Sequence, residues 1–180
     1  LELREELASQ FSISPLIFQQ EQISQIDGTI KVLWKTSDHY FVESVLMRHF
    51  ADRNTVCVSC QVGCAMQCQF CATGAMGLKR NLNSDEIVSQ VLYFVKKLQK
   101  ENQKVTNIVY MGMGEPFANY DEVMQSIRDL NDPHKLALGS RHITIFTCGL
   151  IPGIKRFQAE DLQVNLAVSL HAPNDELRRK

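Results

Sequence analysis

Hydrophobic spacing divides the chain into two regimes. Across residues 1 to about 28, Leu3, Leu7 and Phe11 recur at helical spacing, and after Ser14-Pro15 a second run carries Leu16, Ile17, Ile23 and Ile26. This stretch reads as helical until Asp27-Gly28 breaks the pattern. Residues 29–34 and 40–47 are rich in β-branched and aromatic side chains and flank Ser37-Asp38, which predicts a hairpin. From Arg53 onward, strand-like and helix-like stretches alternate. Val56-Cys57-Val58 opens a strand, and Ser84-Asp85-Glu86 caps a helix that runs to about Lys100 with Ile87, Val88, Val91, Leu92 and Val95 on one stripe. Residues 107–111 form a second strand and 121–130 a second helix. Residues 142–147, 151–157 and 164–170 continue as strand, short helix and strand.

Repeated βα units imply an α/β fold with a parallel sheet and right-handed crossovers. Four units are too few to close a barrel, so residues 54–180 read as the first part of a (β/α) barrel and residues 1–53 as an accessory region of helices and a hairpin. At 180 residues, 44% hydrophobic and 22% charged, the chain can bury a core. It has no apolar run long enough to span a membrane. A net charge of −1 gives no basic footprint, although basic residues can still cluster on one face. The chain starts at Leu1 and stops within Asp175-Glu176-Leu177-Arg178-Arg179-Lys180, the first turn of a helix, and so reads as a fragment.

Chemistry concentrates in Cys64-Ala65-Met66-Gln67-Cys68-Gln69-Phe70-Cys71. Structural zinc and ordinary ferredoxin clusters take four protein ligands. Three thiolates on a four-iron cluster leave one iron open to bind a small molecule and pass an electron into it. The C-x3-C-x2-C spacing resembles the signature of the radical S-adenosylmethionine (SAM) enzymes. The competing reading is a zinc loop with Cys57, Cys60 or His49 as fourth ligand, but zinc loops usually pair their cysteines as C-x2-C twice over. A disulfide is a weaker alternative still, since no secretory segment is present.

The other notable residues fall at predicted strand ends, where βα folds gather their chemistry. Gly112-Met113-Gly114-Glu115-Pro116 follows the second strand, placing bare backbone and then a carboxylate where a ligand's α-amino group can be met; the alternative is a plain turn. Thr147-Cys148-Gly149 ends the third strand. In the fourth, alternation puts Ser169 and His171 on one face with Ala167, as ribose or carboxylate ligands or as packing residues. Phe70 either stacks on adenine or packs the loop.

Taken together, Cys57-Val58-Ser59-Cys60-Gln61-Val62-Gly63-Cys64, Phe70-Cys71-Ala72-Thr73-Gly74, Arg80-Asn81-Leu82, Met111-Gly112-Met113-Gly114-Glu115-Pro116 and Ser169-Leu170-His171-Ala172-Pro173-Asn174-Asp175 resemble the RlmN and Cfr family of rRNA adenine methyltransferases. The resemblance covers nearly the whole chain. It implies a [4Fe-4S] cluster on Cys64, Cys68 and Cys71 and SAM held by Gly114, Glu115, Ser169, Leu170 and His171. It further implies methylation of adenine in 23S rRNA, with tRNA as a further substrate, at carbon 2 or, in the Cfr branch, carbon 8. The family methylates a C-terminal cysteine, makes a radical on that methyl group and adds it to the base. Glu43 matches the proton acceptor and Cys57 the cysteine that forms a transient disulfide to release the adduct; read alone, Glu43 is an exposed strand residue. Cys60, three residues on, reads as a packing residue on the opposite face. A cytoplasmic monomer served by an electron donor such as flavodoxin, with no membrane partner, completes the implied picture. Two departures stand out. The methyl-carrying cysteine lies downstream of this chain, and Phe146 occupies the place of a serine that contacts SAM in the family.

Overall fold

The structure, a computed structural model, describes residues 14–178. In chain order its elements are β1 (Leu16–Ile23), β2 (Ile30–Thr36), β3 (Phe41–His49), β4 (Arg53–Cys57), β5 (Gln61–Val62), α1 (Ala72–Ala75), β6 (Arg80–Asn81), α2 (Ser84–Gln99), β7 (Asn107–Tyr110), α3 (Tyr120–Asn131), β8 (Ile143–Thr147), α4 (Ile151–Phe157), β9 (Asn165–Val168) and α5 (Asp175–Arg178). A 3-10 turn, Pro116–Asn119, leads into α3. One seven-stranded sheet runs in the order β1-β2-β3-β4-β7-β8-β9, and β5 with β6 makes a separate two-stranded ribbon.

The β4, β7, β8 and β9 strands pair in parallel, as alternating βα units require. The hairpin is β2 and β3, and β3 pairs antiparallel with β4, so the hairpin continues the parallel sheet rather than sitting apart from it. The helical reading of residues 16–26 is overturned. Leu16–Ile23 is an edge strand on β2, with a bulge between Phe18 and Gln20. Its sparse apolar residues suit either period, and the open hydrogen-bonding edge of β2 decides between them. Leu3, Leu7 and Phe11 lie outside the described residues.

Alternation along the strands gives the sheet two unlike faces. On one, Val32, Trp34, Val42, Leu46, Val56, Ile108, Tyr110, Ile143 and Ile145 join Ile87, Val91, Phe94 and Leu98 of α2 and Val123, Met124, Ile127 and Leu130 of α3 in one buried cluster. The polar tips inside it are satisfied: Trp34 Nε1 donates to Ser44 Oγ at 2.7 Å, and the Tyr110 hydroxyl meets Ser126 Oγ at 2.7 Å. No described helix covers the other face, where Lys31, Val45, Cys57, Val109, Thr144 and Asn165 stand in register across six strands.

Boundaries shift slightly from expectation. The cap of α2 is Asn83, whose side chain accepts from Glu86 N at 2.8 Å while Glu86 Oε2 accepts from Asn83 N at 3.0 Å. The fourth parallel strand stops at Val168.

Because hairpin and βα units share one core, they should unfold together. Leu46→Ala, at a position with 0% exposure, is expected to cost about 2–5 kcal/mol. Denaturant titration should show one transition moved to lower midpoint; separate hairpin and core transitions would refute the shared core.

Candidate active site

The cysteine loop is closed at its base before it reaches its ligands. The β5–β6 ribbon pairs Gln61 with Asn81 and Val62 with Arg80, and Lys79 N donates to Val62 O at 2.9 Å. Gly63 has φ +75°, and a Cβ there would collide with the Gly77 carbonyl oxygen. Arg80 braces the ribbon on both sides. Its guanidinium meets Asp38, in the β2–β3 turn, at 2.6 and 2.9 Å and Glu86 at 2.8 and 2.8 Å. The hydrogen bonds from Arg80 hold the Asp38 carboxyl well below the usual carboxylate range.

The segment before the cysteines is locked to the loop after β7. Gly112 N donates to Val58 O at 3.0 Å, and both Cys60 N and Gln61 N donate to Met113 O, at 2.9 and 3.1 Å. Gln61 Oε1 accepts from Glu115 N at 2.8 Å. A Cβ on Gly112 would lie 2.6 Å from Val58 O, and one on Gly114, at φ +103°, 2.6 Å from Gln61 Cβ. Protein backbone and side chain packed against them already require both glycines.

Glu115 is buried, and its carboxylate ties three segments together. Oε1 accepts from Thr147 Oγ1 at 2.7 Å and Phe117 N at 3.1 Å, while Oε2 accepts from Cys148 N at 2.8 Å. The β7 and β8 ends are thus joined by one side chain. It lines a cavity of about 150 Å³ together with Cys64, Cys68, Cys71, Gly112, Gly114, Phe146, Cys148, Ser169 and His171. A wider cavity of about 700 Å³ adjoins it, sharing Cys68, Phe70, Cys148, Ser169 and His171 and adding Leu170. All three loop cysteines and the residues expected at three later strand ends meet in this one place.

Ser169 and His171 both lie past the end of β9. Ser169 N donates to Thr147 O at 2.8 Å, which carries the pairing with β8 one residue further, while His171 has left the strand conformation with φ +43°. The Phe70 ring packs on His171 with centroids 4.7 Å apart. Phe146 lines the smaller cavity beside Glu115, in the position where the family's serine was expected.

Glu43 and Cys57 lie on the uncovered face of the sheet. Cys57 stands opposite Val45, two residues along β3 from Glu43, so both side chains share one face. Glu43 Oε1 pairs with Lys31 Nζ at 3.0 Å. Burial pushes the Cys57 thiol up to about 11, while a hydrogen bond with the Met111 backbone acts the opposite way. Cys60 belongs to the helix-covered core, with Sγ 3.7 Å from Met113 O. It faces away from Cys57 although β4 has already ended. His49 pairs with Arg53 at the opening of β4, at the far end of that strand from the cysteine loop.

The donor set can be tested against the group it would hold. Among the described residues no three His, Cys, Asp or Glu side chains gather tightly enough for one metal ion. The three loop thiols ring a cavity instead, as a multi-iron cluster requires when each thiolate takes a different iron. Burial raises the Cys64 thiol, and Cys68, Glu115 and Cys71 close by raise it further. The residues fit a cluster. Cys148, which the sequence placed at the end of the third strand without a role, also lines this cavity, and burial and the Glu115 carboxylate push its thiol up to about 12. The only signal for it was its place after a strand. Gln61 and Ser59, which hold the irregular backbone, stood inside a quoted motif but without a role, and Asn119, which does the same, carried no signal.

The shift at Cys57 has a measurable consequence. A thiol whose value rises from 9.0 to about 11 holds fewer thiolates at every pH below the upper value. Alkylation of Cys57, followed by peptide mass spectrometry, should therefore rise about tenfold per pH unit through pH 9 and level off only near pH 11. A plateau below pH 9 would show that the thiol is not buried.

Residues 58–180 match the family model described as the radical SAM superfamily. The protein named probable dual-specificity RNA methyltransferase RlmN is 51% identical over 179 residues in Staphylococcus epidermidis, covering 99% of this chain and 49% of that protein. In Dictyoglomus thermophilum the same name belongs to a protein 49% identical over 181 residues, with 99% and 50% covered. A crystal structure of a radical SAM methyltransferase from Sphaerobacter thermophilus superposes with TM-score 0.92 at 49% identity, covering 98% of this chain and 52% of that one. The chain thus spans about half the length of the curated relatives it matches. With the cysteine loop, the strand-end cavity and these likenesses in agreement, the chain belongs to the radical SAM superfamily.

Proposed function

We propose that this chain carries the cofactor-binding portion of a radical SAM RNA methyltransferase that modifies carbon 2 of adenine in 23S rRNA, and in tRNA. The observation that carries the reading is the convergence of Cys64, Cys68 and Cys71 with Gly114, Glu115, Ser169 and His171 on one cavity. The names of the RlmN relatives supply the RNA substrate. Cys64, Cys68 and Cys71 hold a [4Fe-4S] cluster; Gly114, Glu115, Ser169, Leu170 and His171 hold SAM. When bound, the two together supply a reducing electron and a carbon-centred radical. A methyl-carrying cysteine outside this chain and an electron donor such as flavodoxin complete the system, in a cytoplasmic monomer.

The surroundings of each residue are compatible with the task assigned to it. Glu115 is held rigid by Thr147, Phe117 and Cys148, so its carboxylate is already oriented when an ammonium group arrives. Phe146 presents an apolar ring where a hydroxyl was expected, so contact with SAM at that point is by packing. Glu43, half-exposed on the open sheet face, accepts a proton from the methylated base. Cys57, on the same face, attacks to release the RNA from the protein. Its burial keeps the thiol protonated at neutral pH until a step demands the thiolate.

Glu115→Ala should have two effects. Loss of a charge-assisted hydrogen bond, typically about 1.5–3 kcal/mol, weakens SAM binding roughly ten- to a hundredfold by calorimetry. The three abandoned donors should also lower folding stability by at least about 2 kcal/mol. Unchanged SAM affinity in the folded variant would reduce Glu115 to a structural tie.

The function itself is tested with Cys57→Ala in the full-length protein. Cluster content and SAM cleavage should stay at wild-type level while a protein–RNA species builds up that survives denaturation and vanishes on nuclease treatment. Mass spectrometry of wild-type product should give 2-methyladenosine; 8-methyladenosine would place the enzyme with the Cfr branch. A Cys57→Ala variant that releases methylated RNA normally would remove this thiol from the reaction.

A further inference from the structure

We propose that Lys31 is a positioning residue for Glu43, holding its carboxylate where it can accept the proton. The proposal rests on the reading of Glu43 as proton acceptor and adds a residue to it.

Three observations carry it. First, Lys31 Nζ lies 3.0 Å from Glu43 Oε1. Second, the pair bridges two neighbouring rows of the sheet. Glu43 stands opposite Leu33, whereas Lys31 stands opposite Val45, and Val45 stands opposite Cys57. The ion pair therefore crosses diagonally from the row of Glu43 to the row that holds the releasing thiol. Third, the side chains are 44% and 43% exposed, and a pair that open to water contributes little to folding. Fold stability gives no account of why a cation is placed there.

A positional account does follow from the chemistry. Glu43 alone on a half-exposed strand has three side-chain torsions free to wander, and a base must sit within hydrogen-bond reach of its proton. Lys31 restricts that search and balances the carboxylate's charge. The proton then passes from the purine carbon to a Glu43 carboxylate oxygen while the C–H bonding pair stays on the ring. Lys31 keeps its own proton throughout.

The test uses the full-length protein with its cluster loaded and a synthetic RNA stem-loop. Lys31→Gln should lower kcat by about tenfold or more, with KM for RNA, SAM cleavage and thermal midpoint unchanged. A denaturation-resistant protein–RNA species should accumulate, as it should in Glu43→Gln. Lys31→Arg, which keeps the cation, should restore most of the rate. Wild-type turnover in Lys31→Gln would overturn the proposal, as would a raised RNA KM at unchanged kcat, which would make Lys31 a phosphate contact. Failure of arginine to rescue, or a fallen thermal midpoint that accounts for the lost rate, would also overturn it. Normal turnover in Glu43→Gln would instead sink the reading of Glu43 itself. An impaired Glu43→Gln beside a normal Lys31→Gln would sink only the role of Lys31.

Discussion

The interlock between the segment after β4 and the loop after β7 is the constraint on which the site depends. The segment after β4 is buried and neither stretch is regular, so backbone amides and carbonyls there need partners that no ladder supplies. Side chains provide them. Gln90 Oε1 accepts from Ser59 N at 2.9 Å and its Nε2 donates to Ser59 O at 2.9 Å. Asn119 Nδ2 donates to the carbonyls of Cys60 and Leu82, both at 2.8 Å. Ser59 Oγ donates to Glu43 O at 2.5 Å and accepts from Met113 N at 2.8 Å. One helix side chain, one residue of a 3-10 turn and one hydroxyl thus join the hairpin, the cysteine segment and the β7 loop. Disturbing any of these displaces the cavity without touching a ligand.

What the chain disclosed in advance was what repeats or what reacts. The alternation of 107–111, 142–147 and 164–170 gave a parallel sheet because buried strands have few other readings, and the helices over 84–100 and 151–157 carried clear stripes or proline starts. The three cysteines were legible by spacing alone. Three matters were not. Residues 16–23 show their strand character only beside β2, since their single fully buried side chain is Leu16. Ser169 and His171 reach the cavity from beyond the end of β9, short of the strand the pattern predicted, because where a strand stops depends on neighbours rather than on its own residues. Gly112 and Gly114 announced close approach without saying what approaches, and the chain itself packs against both.

The same buried setting governs the thiols. Cys57 and Cys60 differ by three positions and both are nearly inaccessible, yet Cys57 opens onto the uncovered face of the sheet and Cys60 into the core. Burial restrains both from ionising, which protects them from oxidation and alkylation, since the thiolate is the reactive form. Cys64, Cys68 and Cys71, by contrast, lie on a partly exposed loop.

The β5–β6 ribbon, the Gly63–Gly77 contact and the Arg80 brace are made wholly of protein groups. The mouth of the cysteine loop is therefore cinched by the polypeptide itself, so the three thiols are presented from a ring of backbone whose span is set by the register of the ribbon rather than by the thiols.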